Sequence, residues 1–259
     1  MQKGTSADLI KFVDDNFVKY WSQLNVEIHY NIWETKLLTD IPHALFNGVL
    51  RSQYTTRNID ELIDFTISQY RSRKVPFTWW VYQRSTPRNL GELLTQHGLL
   101  HLGVMPSMGL ALSSEPSIND APEGFEVHKV RNDAEMESWG KVLAQAYNLP
   151  GEDITKYCAF FPQVETSDMY QHFIGIYDGQ PVAAGTLFIS GSTAGLYNIG
   201  TIPEARLKGF GTYLTQIMLL YAYQHNSRLI AMQSYPIAVE VCQKLGFKQI
   251  SEFNVFIYQ

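Results

Sequence analysis

The stretch YNIGTIPEARLKGFGT, residues Tyr197–Thr212, determines which fold and which chemistry this sequence predicts. A strand-like run ends at a proline, a turn with two glycines and two cations follows, and a helical pattern begins at once. Gly209 and Gly211 allow a ligand to approach the backbone closely, and the N–H groups at a helix start attract anions. Arg206 and Lys208 add positive charge. The stretch therefore predicts an anion cradle, built mostly from backbone, that suits a diphosphate.

Two common phosphate-binding turns do not fit this segment. A nucleotide P-loop ends in Gly-Lys-Ser/Thr, whereas this turn ends in Gly-Phe-Gly-Thr. A dinucleotide fingerprint requires a third glycine where this chain has Leu214, and its domain starts with the preceding strand. An ordinary helix start with incidental glycines is the plainer alternative.

The turn resembles the coenzyme A signature of the GNAT superfamily of N-acetyltransferases, Arg/Gln-x-x-Gly-x-Gly/Ala, at Arg206, Gly209 and Gly211. A second segment, Lys244-Leu245-Gly246-Phe247, is similar to the close of that family's last helix. The resemblance extends from about Phe125 to Gln259 with the elements in the same order. It implies a GNAT-like fold for this half, with acetyl-CoA as cosubstrate.

The same resemblance implies which residues contact the cosubstrate. The N–H groups of residues 207–212 are expected to hold the pyrophosphate, and the backbone of Ile199 and Thr201 is expected to pair with the pantetheine arm. The acyl group is expected to point into a gap between the strand at 194–202 and the strand at 229–233. The predicted cofactor-binding residues are Ile199, Gly200, Thr201, Arg206, Leu207, Lys208, Gly209, Phe210, Gly211 and Thr212.

The sequence departs from the family pattern at two proton-transfer positions. Cys242 stands four residues before Gly246, where relatives commonly place a tyrosine that protonates the departing thiolate. Its helical spacing favours a small buried hydrophobic residue, although a thiol can also act as the acid. Gly195 stands eleven residues before Arg206, where many relatives carry a glutamate. At these two positions the chain therefore offers Cys242 as a candidate acid and no residue that could act as a general base.

Polar and aromatic side chains near the turn are further candidates for substrate contact. Tyr197 and Asn198 are the polar side chains best placed on the preceding strand, and each can equally face the helix packed on the sheet. An aromatic cluster lies in the segment that lids the acceptor pocket in the family, and we expect most of it to be core. Its members are Tyr147, Tyr157, Phe160, Phe161 and Tyr170.

The pattern of apolar and turn residues from Phe125 to Gln259 predicts the order β, α, α, β, β, β, α, β, α, β. It includes a helix at 133–147, a helix at 236–245, and strands at 229–233 and 248–258. Asp178-Gly179, between two apolar runs, predicts a hairpin. The first half repeats a helix-glycine-strand outline at His97-Gly98-Leu99, which suggests a degenerate GNAT-like copy, although any α/β protein has such junctions. The predicted fold class is mixed α/β, a GNAT-like acyl-CoA N-acyltransferase fold with a mixed central sheet flanked by helices.

The segment SSEPSINDAPEG, residues 113–124, lacks apolar periodicity and predicts a linker. The predicted organisation is an N-terminal α/β domain at 1–115, a linker at 116–124 and a catalytic domain at 125–259. Every residue of the predicted site follows the linker.

Composition argues against several classes of protein. The 259 residues carry 20 Lys and Arg against 25 Asp and Glu, a net charge of -5 without runs of like charge, which disfavours a nucleic-acid binder. No segment has the length and apolarity of a signal peptide or membrane span. Two cysteines, Cys158 and Cys242, are too few for a disulfide framework. We therefore expect a cytoplasmic protein without nucleic-acid, membrane or metal partners.

The resemblance to the GNAT superfamily thus implies an acetyl-CoA-dependent N-acetyltransferase. The acceptor is expected to be a primary amine of a small molecule or peptide, which attacks directly in a ternary complex. A non-catalytic acyl-CoA-binding or regulatory module is the alternative, because of Gly195 and Cys242.

Overall fold

The computed structural model describes residues 6–55, 58–165 and 167–259. The helices within these ranges are α1 Ser6–Ser22, α2 Ile59–Arg73, α3 Leu90–Gln96, α4 Asp133–Tyr147, α5 Gly151–Cys158, α6 Phe210–Gln224 and α7 Val239–Lys244. The strands are β1 Glu27–Tyr30, β2 Glu34–Leu38, β3 Gly48–Ser52, β4 Phe77–Tyr82, β5 Leu100–Ala111, β6 Phe125–Lys129, β7 Tyr170–Tyr177, β8 Gln180–Ser190, β9 Thr193–Thr201, β10 Leu229–Gln233 and β11 Lys248–Tyr258. None of the described helices is both long and apolar enough to cross a membrane.

The chain divides into two compact units. The first unit comprises the residues up to Ser107 with Ser234–Ile237 and Gln249–Gln259, and the second comprises Met108–Gln233 and Ala238–Lys248. This partition differs from the predicted division at 116–124. The last strand falls in the first unit because β11 pairs antiparallel with β4, from Phe253 opposite Tyr82 to Tyr258 opposite Phe77.

The first unit is a mixed sheet packed on helices. β1, β2 and β3 pair antiparallel, β3 pairs parallel with β4, and β4 pairs antiparallel with β11. Its core includes Trp79, whose indole N–H donates to the Ser52 hydroxyl at 2.7 Å. Tyr70 of α2 stacks on Phe77 with ring centroids 4.0 Å apart.

The second unit is also a mixed sheet, with helices on both faces. β6, β7, β8 and β9 pair antiparallel in sequence, and β9 pairs parallel with β10. Phe173 shares a buried core with Leu214 and Met218 of α6. The adjacent His172 points to the opposite face, where its ring lies 4.8 Å from that of Trp139 in α4. The predicted mixed α/β class is confirmed.

The elements of the second half follow the predicted order. The helix at 133–147 and the strands at 229–233 and 248–258 have the predicted bounds. The hairpin turn at Asp178-Gly179 has φ angles of 49° and 76°, as a type I′ turn requires. The helix predicted from Pro236 begins at Val239, because Pro236–Ala238 forms a 3-10 turn.

Candidate functional site

β9 and β10 run side by side and then part. Their parallel register extends from Leu229 opposite Thr193 to Ala231 opposite Gly195, and β9 continues to Thr201. Beyond Gly195, β9 has no registered partner on this side among the described strands. The gap predicted between these strands therefore begins after Gly195.

A β-bulge lies in β9 where the gap begins. β8 and β9 pair as Thr186 with Tyr197 and as Ala184 with Gly200, so β9 has one extra residue in this interval. Asn198 has a left-handed φ of 54°, which asparagine adopts more readily than most residues. Bulges bend the strand that carries them, and this one lies where β9 leaves β10.

The backbone of β9 directs two carbonyl groups into the gap. The Ile202 N–H donates to the Val182 carbonyl of β8 at 3.0 Å, and the alternation of an antiparallel ladder gives Gly200 the same direction. In a trans peptide, each C=O points opposite to the next N–H. The carbonyls of Ile199 and Thr201 therefore point away from β8, toward the gap.

The turn after β9 is open and locally strained. A 3-10 turn at Pro203–Ala205 leads to Leu207, which has a φ of 64° and a fully exposed side chain. Gly209, with a φ of 82°, directly precedes α6 and has no side chain to cap it. A Cβ at Gly209 would meet only Pro122 Cγ at 3.8 Å. The geometry fits a diphosphate, because no side chain caps the start of α6, the N–H groups at a helix start attract anions, and strained backbone often marks a binding site.

The two cations of the turn differ in their contacts. The Arg206 guanidinium donates to two backbone carbonyls, Nε to Thr201 at 3.1 Å and Nη2 to Ala146 at 2.8 Å. Lys208 Nζ lies 4.9 Å from the centroid of the Tyr177 ring. The Lys208 ammonium group thus lies beside the turn, whereas the Arg206 guanidinium is held against the strand and the end of α4.

The other predicted cofactor-binding residues have backbone or packing roles in this geometry. Phe210 is buried and stacks on Phe125 with ring centroids 4.3 Å apart, which anchors the start of α6. A Cβ at Gly211 would lie 3.3 Å from Thr201 Oγ1, and one at Gly200 would lie 2.7 Å from Ala146 Cβ. Both glycines allow neighbouring elements to pack closely. Thr212 follows in the first turn of α6.

Cys242 lies in the apolar core of the second unit. It is 4% exposed and belongs to the same buried cluster as Phe247, Met232 and Leu214. Such surroundings favour the small hydrophobic role over that of a proton donor.

Tyr197 and Asn198 lie on the strand at the gap. Tyr197 is half-buried, and burial, with a smaller contribution from Tyr170, raises the pKa of its phenol well above the usual value. Asn198 Nδ2 lies 3.1 Å from the Tyr157 hydroxyl and 3.2 Å from Thr186 Oγ1. Asn198 therefore faces α5 and the sheet interior, the second of the two orientations expected for it.

The Asn198 contacts continue into a buried polar network that the sequence did not reveal. Thr186 Oγ1 lies 3.0 Å from His172 Nδ1, and both residues are buried. Burial lowers the pKa of His172 to about 3, and its Nε2 has no hydrogen-bond partner among the described residues. A neutral, enclosed imidazole is unsuited to take a proton from an incoming amine. Strand register was the information needed to find this network, because it places His172 opposite Thr186 and Thr186 opposite Tyr197.

The aromatic cluster is mostly core, as expected. Tyr157, Phe161 and Tyr170 are buried, and the Phe161 ring meets the other two edge to face. Tyr147 is half-buried, and its hydroxyl donates to the Ile199 carbonyl at 2.9 Å.

Comparison with known proteins bears on the family and the fold. Residues 135–247 match the model of the Acetyltransferase (GNAT) family. A GCN5-related N-acetyltransferase from Kribbella flavida is 13% identical with a TM-score of 0.72, over 99% of this chain and 96% of that chain. A GCN5-related N-acetyltransferase from Sphaerobacter thermophilus is 13% identical with a TM-score of 0.66, over 87% of this chain and 75% of that chain. A tandem GNAT protein from the clavulanic acid biosynthesis pathway is 16% identical with a TM-score of 0.63, over 87% of this chain and 78% of that chain.

These structural similarities establish the fold, because sequence identity is low throughout. A search of curated proteins gave no match.

Proposed function

We propose that the GNAT-family domain formed by residues 135–247 binds acetyl-CoA and transfers its acetyl group to a primary amine of a small molecule or peptide. The pyrophosphate would lie on the N–H groups of residues 207–212. The pantetheine arm would run along the open edge of β9, at Ile199 and Thr201.

One observation carries this proposal: the strand edge and the anion cradle are continuous. β9 leaves β10 after Gly195, directs the carbonyls of Ile199 and Thr201 into the gap, and leads directly into the open turn before α6. A thioester cosubstrate with a peptide-like arm and a diphosphate requires both features at this spacing.

The chemistry is a direct acyl transfer. The amine nitrogen forms a bond to the acetyl carbonyl carbon, the carbon–sulfur bond breaks, and the products are an amide and a thiol after the nitrogen loses a proton. Acetyl-CoA supplies the activated acyl group, and the strand edge would orient it. Orientation alone can account for much of the rate. With Gly195 at the usual base position and His172 neutral and enclosed, we infer that the proton leaves through water.

A non-catalytic acyl-CoA-binding module is the second candidate. It is supported by two observations: Gly195 carries no carboxylate, and Cys242 is buried among apolar side chains. Such a module would keep the turn and the strand edge without turnover.

A thiol-release assay separates the two candidates. The protein is incubated with acetyl-CoA and, in turn, with polyamines, aminoglycosides, amino acids and peptides, and coenzyme A thiol is measured against time. Thiol release that depends on one class of amine is the result expected of the enzyme. Micromolar acetyl-CoA binding without release by any amine would favour the binding module, and no acetyl-CoA binding would contradict both candidates.

A further inference from the structure

The two carbonyl groups that β9 directs into the gap are already hydrogen-bonded within the chain. The Tyr147 hydroxyl donates to the Ile199 carbonyl at 2.9 Å. Arg206 Nε donates to the Thr201 carbonyl at 3.1 Å. Both donors come from outside the strand, one from the end of α4 and one from the turn.

The last turn of α4 is held against β9 by the same side chains. Gly200 has no Cβ, and a Cβ there would lie 2.7 Å from Ala146 Cβ and 3.2 Å from Tyr147 Cε2. The carbonyls in a last helical turn lack intrahelical partners, and Arg206 Nη2 satisfies that of Ala146 at 2.8 Å. A single guanidinium therefore joins the end of the helix to the end of the strand.

The acyl-CoA site and these internal contacts compete for the same atoms. Amide N–H groups of a pantetheine arm would need the carbonyls of Ile199 and Thr201. A diphosphate on the turn would also attract Arg206, because a guanidinium binds an anion more strongly than it binds a neutral carbonyl. Transfer of Arg206 to the diphosphate would release the carbonyls of Thr201 and Ala146 together.

We propose that Tyr147 and Arg206 form a latch that acyl-CoA must open, and that opening it loosens the last turn of α4. This inference rests on the proposed function, since it assumes that acyl-CoA occupies the edge of β9.

Removal of the Tyr147 hydroxyl tests the latch. Tyr147→Phe keeps the ring against Gly200 and deletes the donor to the Ile199 carbonyl. Because a neutral hydrogen bond contributes modestly, the variant is expected to bind acetyl-CoA about two- to tenfold more tightly by calorimetry. Tyr223→Phe is the matched control: Tyr223 lies near the end of α6 with its ring under Arg228, so its affinity should equal that of the unsubstituted protein. Equal or weaker binding by Tyr147→Phe would overturn the latch.

Hydrogen exchange on the unsubstituted protein gives an independent measurement. The N–H groups of Asn148 and Leu149 bond to the Ala144 carbonyl at the end of α4. Acetyl-CoA is expected to accelerate exchange at these two amides while it slows exchange at the turn before α6. Slower exchange at both places would overturn the latch and leave the proposed function intact. No acetyl-CoA binding at all would overturn the proposed function, and the latch with it.

Discussion

Asp14 of the first unit is a buried carboxylate with little compensation for its burial. It is 1% exposed, and neither carboxylate oxygen has a hydrogen-bond partner among the described residues. Burial raises its pKa to about 7, while Arg84, 3.8 Å away, partly opposes the shift. Arg84 also pairs with Asp15 at 2.9 Å.

Because its pKa is higher in the folded than in the unfolded state, Asp14 makes stability depend on pH. Its contribution is fully present below about pH 4, the ordinary carboxyl value, and is lost as the pH rises to about 7. Asp14→Asn removes this titration. Between pH 4 and pH 8, the free energy of unfolding of the unsubstituted protein is expected to fall by roughly 1–3 kcal/mol more than that of the variant. Denaturant unfolding at both pH values measures this difference. Asp40→Asn is the control, because the Asp40 side chain is 98% exposed. Parallel pH profiles for the Asp14 variant and the unsubstituted protein would contradict this account.

Cys242 can be tested for a role beyond packing. Since it is 4% exposed within an apolar core, Cys242→Ala is expected to cost about 1 kcal/mol of stability and to leave kcat unchanged. Melting temperature and kcat are measured on one preparation. A fall in kcat of roughly tenfold or more at an unchanged melting temperature would instead identify the thiol as a catalytic acid.

Among the elements, the bulge of β9 depends on side chains from three strands. Thr186 is fully buried and contacts both Asn198 Nδ2 and His172 Nδ1. Thr186→Val keeps the shape and leaves the buried His172 ring and the half-buried Asn198 amide without this partner, so it is expected to destabilise the protein by about 1–3 kcal/mol. Thr186→Ser retains the hydroxyl and should recover most of the loss. Equal unfolding midpoints for the valine and serine variants would show that the network contributes nothing to stability.

The elements that sequence could predict are those with local signals. The Asp178-Gly179 hairpin and α4, which starts after the Asn132 cap, depend on neighbouring residues and were found at their predicted places. The bulge at Asn198 depends on pairing with β8, which single-sequence patterns do not contain. β2 was missed for another reason: its polar residues are buried, with Lys36 Nζ held 2.6 Å from Glu34 Oε1. An internal ion pair conceals the apolar alternation of a strand.

The open turn before α6 was also predictable locally, since glycines, cations and a helix start lie within one segment. The hydrogen-bond partners of Arg206 and Tyr147 could not be predicted, because they are carbonyl groups brought close only by the packing of α4 on β9.

For the whole molecule, the partition into compact units predicts how the chain tolerates truncation. Met108 and Leu112 are 0% and 5% exposed in the core of the second unit, although they precede the predicted linker. A chain that starts at Ala121 lacks both and is expected to lose cooperative thermal unfolding, whereas one that starts at Pro106 should keep it. Identical melting curves for the two chains would support the sequence-based boundary at 116–124 instead.

Two glycine variants test whether acyl-CoA binds at the turn before α6. Gly209 and Gly191 both have a positive φ, 82° and 64°, and both have room for a Cβ. Glutamate at either position brings similar backbone strain and the same charge, but of the two only Gly209 lies in the turn before α6. Calorimetry is expected to show acetyl-CoA binding at least roughly tenfold weaker for Gly209→Glu, because side chain and charge oppose the pyrophosphate, and unchanged binding for Gly191→Glu. Equal affinity of the two variants, both folded, would contradict the assignment of this turn as the acyl-CoA site.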